Sequence, residues 1–292
     1  MNSFPKIFAL GTKYVKEIFD EEVEITEKID GSQFVFGKIE GELKMRSKSA
    51  KLFLEKHDKM FSEAVEYVST LDLPEGMVFY CEYLKKPKHN SLAYDKIPKN
   101  HLCLFAACDE ELNFASYEEL EKLADLMKID VVPCIFEGFT KATKIEALLD
   151  RDSYLGGQKI EGVVVKNRKS WLFGGVPMPI MSGKYVSEAF KEVHNKTWKT
   201  GKDKWEIFKE SYQTEARWEK AVQHLKEKGE LVDEPKDIGK LCKEVHDDIV
   251  EEEEEIIRDF LWNLRKGELL RRSVSGLPEW YKKKLLLKDE NE

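Results

Sequence analysis

The pattern of apolar residues between positions 22 and 46 constrains the fold of this 292-residue chain more than any other feature. Val23 and Ile25 alternate with polar residues before the tetrapeptide Lys28-Ile-Asp-Gly31, and Phe34 and Phe36 alternate after it. A period of two is typical of strands, and glycine permits the tight turn that joins antiparallel neighbours. We therefore expect a hairpin in an antiparallel sheet, with Lys28 at its turn.

A lysine in such a turn supports two interpretations. It is either a solvated hairpin residue or an amine held at a phosphate, where its neutral form is a nucleophile. Because the ordinary pKa of lysine is about 10.4, neutralising the amine near pH 7 costs roughly 4 to 5 kcal/mol, which burial or a nearby cation must offset. The tetrapeptide alone does not decide between the two interpretations.

The rest of the chain predicts an α+β protein with two domains. Further strands are expected at 77–83, 101–107, 131–136 and 159–166, with amphipathic helices at 49–70 and 116–127, the second with a capping box formed by Ser116 and Glu119. After about residue 195 the pattern becomes helical, with Thr214 as an N-cap. We predict antiparallel sheets flanked by helices in residues 1–196 and an all-α domain in 197–292.

Composition excludes several classes of protein. Apolar residues make up 41% and charged residues 36% of the chain, values typical of a folded domain and not of disorder. No apolar stretch is long enough to span a membrane, and neither a Cys-x-x-Cys pair nor a His-Glu-x-x-His motif is present. We expect reduced cysteines and a cytoplasmic protein, in the host cytoplasm if the source is viral.

The distribution of charge locates a candidate phosphate-binding region. The net charge is -8, yet residues 151–200 hold nine basic residues against four acidic ones. Within this region a strand is expected to run from Glu161 to Lys166, and Lys184 follows a glycine. Alternation along the strand predicts that Glu161 and Lys166 point to opposite faces.

Two further candidates lie in predicted strands. Glu82 interrupts the apolar run Phe79-Tyr-Cys-Glu-Tyr83, where a carboxylate needs a hydroxyl or cation partner unless it points to solvent. Phe105 offers a ring for stacking on a purine, although, taken alone, an aromatic residue there is better explained by packing in the core.

In this order and spacing, these segments resemble the covalent nucleotidyltransferases, the superfamily of ATP-dependent ligases and mRNA capping enzymes. Lys28-x-Asp30-Gly31 is similar to the first motif of the superfamily. The later motifs are matched by Arg46, Glu82, Phe105, Glu161-Gly162 with Lys166, and Lys184. The resemblance covers about residues 5–195.

Thr26 to Phe34, with Arg46-Ser47, look most like the RNA ligases of phage type. The resemblance implies that Glu27 reads the adenine amino group, and that Gln33 takes the place of an Asn that orients metal-bound water. One departure occurs at the fifth motif, where Ser182 replaces the first residue of a usual Lys-x-Lys pair.

The resemblance implies ATP-dependent joining of RNA 3′-hydroxyl and 5′-phosphate ends through a Lys28-AMP intermediate. Lys28, Glu161 and Lys184 would be catalytic, and Glu27, Arg46, Glu82, Phe105 and Lys166 would bind the nucleotide or phosphates. Mg²⁺ or Mn²⁺ would be held by Glu161 and, through water, by Gln33. A DNA ligase, a capping guanylyltransferase and a non-catalytic RNA-binding protein are the alternatives. We expect a monomer, with possible RNA contacts in the helical domain.

Overall fold

The computed structural model describes residues 1–48, 50–55, 57, 59–169, 171–173, 175–187 and 204–289, with side chains described to residue 284. Its strands are β1 Phe8–Ala9, β2 Val23–Lys28, β3 Ser32–Ile39, β4 Glu42–Ser47, β5 Lys51–Leu52, β6 Val78–Tyr83, β7 Leu102–Cys108, β8 Asp130–Val131, β9 Cys134–Gly138, β10 Gly162–Asn167, β11 Trp171–Phe173, β12 Val176–Met178 and β13 Met181–Val186. Its α-helices are α1 Ser62–Val68, α2 Tyr117–Leu126, α3 Lys204–Ser211, α4 Glu215–Glu227, α5 Ile238–Ser273 and α6 Leu277–Asp289. Short 3₁₀ helices occupy Lys13–Val15, Lys59–Phe61, Lys99–His101, Ala142–Lys144, Glu146–Leu148 and Pro235–Asp237.

Two mainly antiparallel sheets form the framework. The first has the order β1-β13-β10-β2-β9 and the second β5-β4-β3-β6-β7-β8, while β11 and β12 make a separate hairpin. The pairs β1–β13 and β7–β8 are parallel, and every other neighbouring pair in these sheets is antiparallel. The predicted α+β class is therefore confirmed. Because β2 belongs to the first sheet and β3 to the second, the Lys28 turn connects the two sheets. The hairpin expected at Lys28 is therefore wrong: β3 pairs instead with β4, across the turn at Glu40 and Gly41, and with β6.

Three apolar clusters stabilise this framework. Phe34, Phe36 and Phe79 on one face of the six-stranded sheet pack with residues of α1 and α2. The opposite face of the same sheet contributes Tyr80 and Phe105 to a second cluster. A third cluster lies on the face of the five-stranded sheet that carries Ile25, Val163 and Val165.

The helix expected over 49–70 is wrong in its first half. Leu52 instead lies in β5, opposite Met45 of β4. The backbone N–H of Ala50 donates to Ser47 Oγ, and the Ser47 N–H donates to the Ala50 carbonyl, so a tight turn replaces the helix there. Only Ser62–Val68 forms the α-helix.

Two other predicted features of the helices are confirmed. The Ser116 hydroxyl accepts from the Glu119 N–H while the Glu119 carboxylate accepts from the Ser116 N–H, which completes the capping box of α2. Thr214 caps α4 by accepting from the Arg217 N–H at 3.2 Å. The five cysteines are free thiols, as expected.

Residues Met1–Glu244 and Val245–Glu292 form two compact units. The predicted domain boundary at 196/197 lies outside the described residues and stays a prediction. Among the helices described, none carries an apolar stretch of the length and purity needed to cross a bilayer.

Candidate active site

The turn after Lys28 is fixed by hydrogen bonds from the segment that follows β6. The Asp30 carboxylate accepts from the Leu92 N–H at 2.8 Å and from Asn90 Nδ2 at 3.2 Å. The Asp30 N–H donates to Tyr94 Oη at 2.9 Å, and Asn90 Nδ2 also donates to the Gly31 carbonyl at 2.9 Å. Asp30 thus organises the backbone that presents Lys28.

Gly31 is required by close packing. A Cβ at this position would lie 2.8 Å from Leu84 Cδ1, 2.9 Å from the Tyr83 carbonyl oxygen and 3.1 Å from Glu82 Oε2. Separations below 3 Å are not accommodated without movement of the backbone or core. The glycine therefore allows the turn to approach β6, and brings it next to the Glu82 carboxylate.

Lys28 forms an ion pair with Glu161, which lies immediately before β10. Lys28 Nζ is 2.8 Å from Oε1 and 2.6 Å from Oε2 of Glu161. Burial lowers the pKa of Lys28, but the charges of Glu161 and Asp30 outweigh it, and the pKa lies above that of an ordinary lysine. Burial raises the pKa of Glu161, and Lys28 offsets only part of this. The pair holds a proton between a partly buried amine and a partly buried carboxylate.

Glu82 is a second partly buried carboxylate beside Lys28. Burial raises its pKa to about 8, with the nearby Lys28 charge opposing and the Glu161 charge adding to the effect. Gln33 of β3 is its cross-strand partner, and the two side chains share a face of the sheet. Gln33 Oε1 is buried, with no hydrogen-bond partner among the described residues. A protonated Glu82 can donate a hydrogen bond as well as accept one.

The register of the five-stranded sheet brings the predicted lysines to one face. Gly162 is paired with Lys28, Val164 with both Thr26 and Lys184. Because directly paired residues point to the same side, Lys28 and Lys184 share a face. The charge of Lys184, like that of Lys28, opposes the rise that burial causes in the pKa of Glu161.

Lys166 lies on the same face, but its ammonium group already binds other groups of the protein. Its Nζ donates to Glu24 Oε1 at 3.0 Å and to the Phe105 carbonyl at 2.5 Å. The second Glu24 oxygen accepts from Arg168 Nη2. Burial raises the pKa of Glu24, but the charges of Lys166 and Arg168 reverse the effect and leave it lowered.

The sequence analysis missed Glu24 and Arg168. The signal for Glu24 is its spacing: positions 24, 26 and 28 of β2 alternate with the apolar Val23 and Ile25, so Glu24 lies on the Lys28 face. The expected separation of Glu161 from Lys166 is wrong: Val163 and Val165 face the third apolar cluster, but Glu161 contacts Lys28, on the face that carries Lys166. Glu161 reaches Lys28 because it precedes the regular strand.

Glu27 is buried and bonded to a loop. Ser153 Oγ donates to its Oε1, and the Tyr154 N–H donates to its Oε2 at 3.2 Å. Burial raises the pKa of Glu27, against the effect of these hydrogen bonds. Its proposed contact with adenine stays a prediction.

Phe105 and Arg46 are also positioned by contacts within the chain. The Phe105 ring meets the Phe4 ring edge-on, with centroids 5.2 Å apart, and is 8% exposed. Arg46 Nε donates to the Ser47 carbonyl and Nη2 to the Lys48 carbonyl, each at 3.0 Å. Stacking on a base and phosphate binding stay predictions for these two residues.

Ser182, the departure from the usual Lys-x-Lys pair, is buried opposite Lys166 in the sheet. Its Oγ has no hydrogen-bond partner among the described residues. Across the parts of the chain that are described, no three His, Cys, Asp or Glu side chains converge as a ready-made metal site.

The RNA ligase family model matches residues 21–186, which is more than half of the chain. Comparison with curated proteins gives no significant match. Among solved structures, a Naegleria gruberi RNA ligase variant with ATP and Mn matches with a TM-score of 0.47 and 17% identity, over 65% of this chain and 57% of that chain.

The same Naegleria gruberi enzyme matches in two other states. Its structure with PPi gives a TM-score of 0.45 and 18% identity, over 64% of this chain and 56% of that chain. A variant with AMP and Mn gives a TM-score of 0.47 and 17% identity, over 65% of this chain and 57% of that chain. The matched part thus spans just over half the length of these solved chains.

Proposed function

This chain belongs to the RNA ligase family, and we propose that it joins an RNA 3′-hydroxyl to an RNA 5′-phosphate with ATP as the source of energy. The single observation that carries the mechanism is the contact of 2.6 Å between Lys28 Nζ and Glu161 Oε2. It supplies a partly buried amine together with an adjacent carboxylate that can take its proton.

In the first step, neutral Lys28 attacks the α-phosphorus of ATP. A bond forms between Nζ and phosphorus, the bond to the bridging oxygen of the β-phosphate breaks, and pyrophosphate leaves with the electron pair. Glu161 accepts the proton that Lys28 gives up, and its raised pKa makes it a better acceptor than an ordinary glutamate. The product is Lys28-AMP.

The nucleotide is held by residues around this pair. Glu82 would bind a ribose hydroxyl, Phe105 would stack on the adenine, and Glu27 would read the adenine amino group. Lys184 shares the Lys28 face of the sheet and would bind the phosphates. Lys166 would act on the phosphates mainly through its charge, since Glu24 and the Phe105 carbonyl already take two of its hydrogen bonds.

The donor set also fits a divalent cation. The orphaned Gln33 Oε1 is a suitable acceptor for a metal-bound water, and Glu161 offers carboxylate oxygens of the kind that Mg²⁺ and Mn²⁺ prefer. When bound, such a cation supplies positive charge at the phosphate and favours the neutral form of a nearby amine.

Two transfers complete the reaction. AMP passes from Lys28 to the RNA 5′-phosphate, and the RNA 3′-hydroxyl then displaces AMP to form the phosphodiester bond. Arg46 would hold the 5′-phosphate, because its planar guanidinium suits phosphate better than an ammonium does. Residues 197–292 would form a separate helical domain that contacts RNA phosphates.

We also propose that the protein acts as a monomer in the cytoplasm, or in the host cytoplasm if its source is viral. Its five free thiols support a reducing compartment.

The test is incubation with ATP or GTP labelled at the α-phosphate, followed by a denaturing gel. We expect an acid-labile label from ATP on the intact protein and none on Lys28→Ala. The same protein should seal 5′-phosphate, 3′-hydroxyl RNA presented as single strands, broken stem-loops or nicked duplexes. Label from GTP alone would favour a capping guanylyltransferase, sealing of DNA alone a DNA ligase, and RNA binding without label a non-catalytic protein.

A further inference from the structure

Ser32 directly follows Gly31, and its hydroxyl belongs to a cluster of hydrogen-bonded side chains that has no part in the mechanism above. Ser32 Oγ is 2.8 Å from His89 Nε2 and 3.3 Å from Gln223 Nε2, and it also bonds to Glu227 Oε1. Ser32 and Glu227 are buried, and 195 residues of sequence separate them. Helix α4 therefore reaches the first residue beyond the Lys28 turn.

The direction of these hydrogen bonds is determined by their donors. Burial lowers the pKa of His89 to about 4, so the ring is neutral near pH 7. Its Nδ1 accepts from the Lys85 N–H at 3.1 Å, so Nε2 carries the proton and donates to Ser32. Gln223 Nε2 is also a donor. The Ser32 hydroxyl hydrogen consequently points to Glu227, its remaining acceptor in this group.

The face of α4 that makes this contact is a polar stripe. Glu219, Gln223 and Glu227 are spaced by four residues and lie on one side of the helix. Glu219 Oε2 accepts from Ser91 Oγ at 3.0 Å, and Ser91 lies between the two residues that bind the Asp30 carboxylate, Asn90 and Leu92. The stripe thus contacts both the turn and the segment that fixes it.

Apolar side chains would hold a helix in place at a lower cost than a buried carboxylate. Burial raises the pKa of Glu227, although its hydrogen bond from Ser32 acts in the opposite direction. The raised pKa means that the surroundings disfavour the charged carboxylate. Buried polar groups of this kind specify one arrangement of the parts they connect more than they add stability. The arrangement specified here is that of the turn carrying Lys28.

Resting on the proposed function, we propose that Glu227 is a positioning residue for the adenylylation of Lys28. Acting through Ser32, it holds the start of β3, and with Asp30 it fixes both sides of Gly31. Lys28 is thereby kept in line with the α-phosphate of bound ATP. Glu227 makes no contact with the reacting atoms, so its loss should slow the chemical step and leave ATP binding nearly unchanged.

The experiment measures the single-turnover rate of Lys28-AMP formation at a series of ATP concentrations. We expect Glu227→Ala to lower the maximal rate about ten- to a hundredfold, because small misplacements of a nucleophile are costly, while the ATP concentration giving half the maximal rate stays the same. Glu227→Gln keeps an acceptor for the Ser32 hydroxyl and should remain within about fivefold of the wild type. Glu215→Ala, at an exposed position of the same helix, is the matched control.

Ser32→Ala removes the other partner and tests the inference even if Glu227→Ala does not fold. It should reproduce the rate loss, and the double variant should be no slower than the slower single variant, because the two residues act together. Thermal unfolding of each variant verifies its folding. A wild-type rate in folded Glu227→Ala, or strictly additive losses, overturns the positioning role alone. Absence of label on the wild type overturns the proposed function as well.

Discussion

Lys28 and Glu161 meet across 133 residues of sequence, with Nζ 2.6 Å from one carboxylate oxygen and 2.8 Å from the other. This contact raises the pKa of Lys28, whereas attack on phosphorus requires the neutral amine. The described state is therefore one in which the nucleophile is held protonated. Its activation requires transfer of the proton to Glu161 or a change in the surrounding charge.

Glu161→Gln should lower the pKa of Lys28, because it removes the negative charge that stabilises the ammonium and leaves the effect of burial. We expect the pH midpoint of Lys28 modification by an amine reagent, followed by mass spectrometry, to fall by about one to two pH units. Glu121→Gln, at an exposed position on α2, is the control and should leave the midpoint in place. A midpoint that rises or stays fixed in Glu161→Gln would contradict this account of the pair.

Glu82 should make the folded protein less stable as pH rises. In the folded state it keeps its proton up to a pKa of about 8, whereas the ordinary value is 4.5. Between these values the folded state binds more protons than the unfolded state, so the free energy of unfolding falls with rising pH, by a few kcal/mol at most, until about pH 8.

Replacing Glu82 by glutamine removes this titration. We expect Glu82→Gln to unfold at a higher temperature than the wild type at pH 9, and the difference to shrink towards pH 5. The measurement is thermal unfolding across this pH range, with Glu121→Gln as the control for loss of one negative charge. Parallel curves for the wild type and Glu82→Gln would show that Glu82 does not titrate in this range.

Patterns with a fixed period and local hydrogen bonds were predictable from sequence. The alternation around Lys28 predicted the strands β2 and β3, although not that they join different sheets, and the capping box at Ser116 begins α2 as expected. The segment at 49–70 was not predictable in this way, because apolar spacing does not reveal that Ala50 closes a turn on Ser47 and that Leu52 then pairs with β4.

Partners distant in sequence account for what was missed at the site. The role of Glu24 depends on its contact with Lys166, 142 positions away, and the role of Glu227 depends on its contact with Ser32. No local period links such pairs, since they depend on strand register and on the packing of a helix beside a turn. The motif residues Lys28 and Glu161 were found because their spacing resembles a family, and the structure brings those two together.

Gly31→Ala should destabilise the protein and slow formation of Lys28-AMP. The added Cβ would meet Leu84 and the Tyr83 carbonyl, and relief of these contacts moves the turn away from β6. We expect a loss of about 1 to 3 kcal/mol in the free energy of unfolding, measured by urea denaturation. Gly239→Ala is the matched control: its Cβ meets nothing within 4 Å, and in α5 it should be neutral or stabilising by up to about 1 kcal/mol. Equal stabilities for the two variants would refute the packing argument.

Two Glu–Lys ion pairs of the same length differ in burial, so they allow the effect of burial on the energy of an ion pair to be measured. The Glu24–Lys166 and Glu21–Lys169 ion pairs both measure 3.0 Å, but the side chains of the first are 0% and 3% exposed and those of the second 51% and 62%. Glu24→Gln leaves the buried Lys166 without its countercharge, so we expect a loss of about 3 kcal/mol or more in the free energy of unfolding. Glu21→Gln should cost less than about 1 kcal/mol, because solvent already screens that pair. Urea denaturation of both variants at neutral pH measures the difference. If the two variants lost the same free energy, Lys166 would have to be solvated in the folded protein, and the cluster with Glu24 and Arg168 would not hold this face of the sheet.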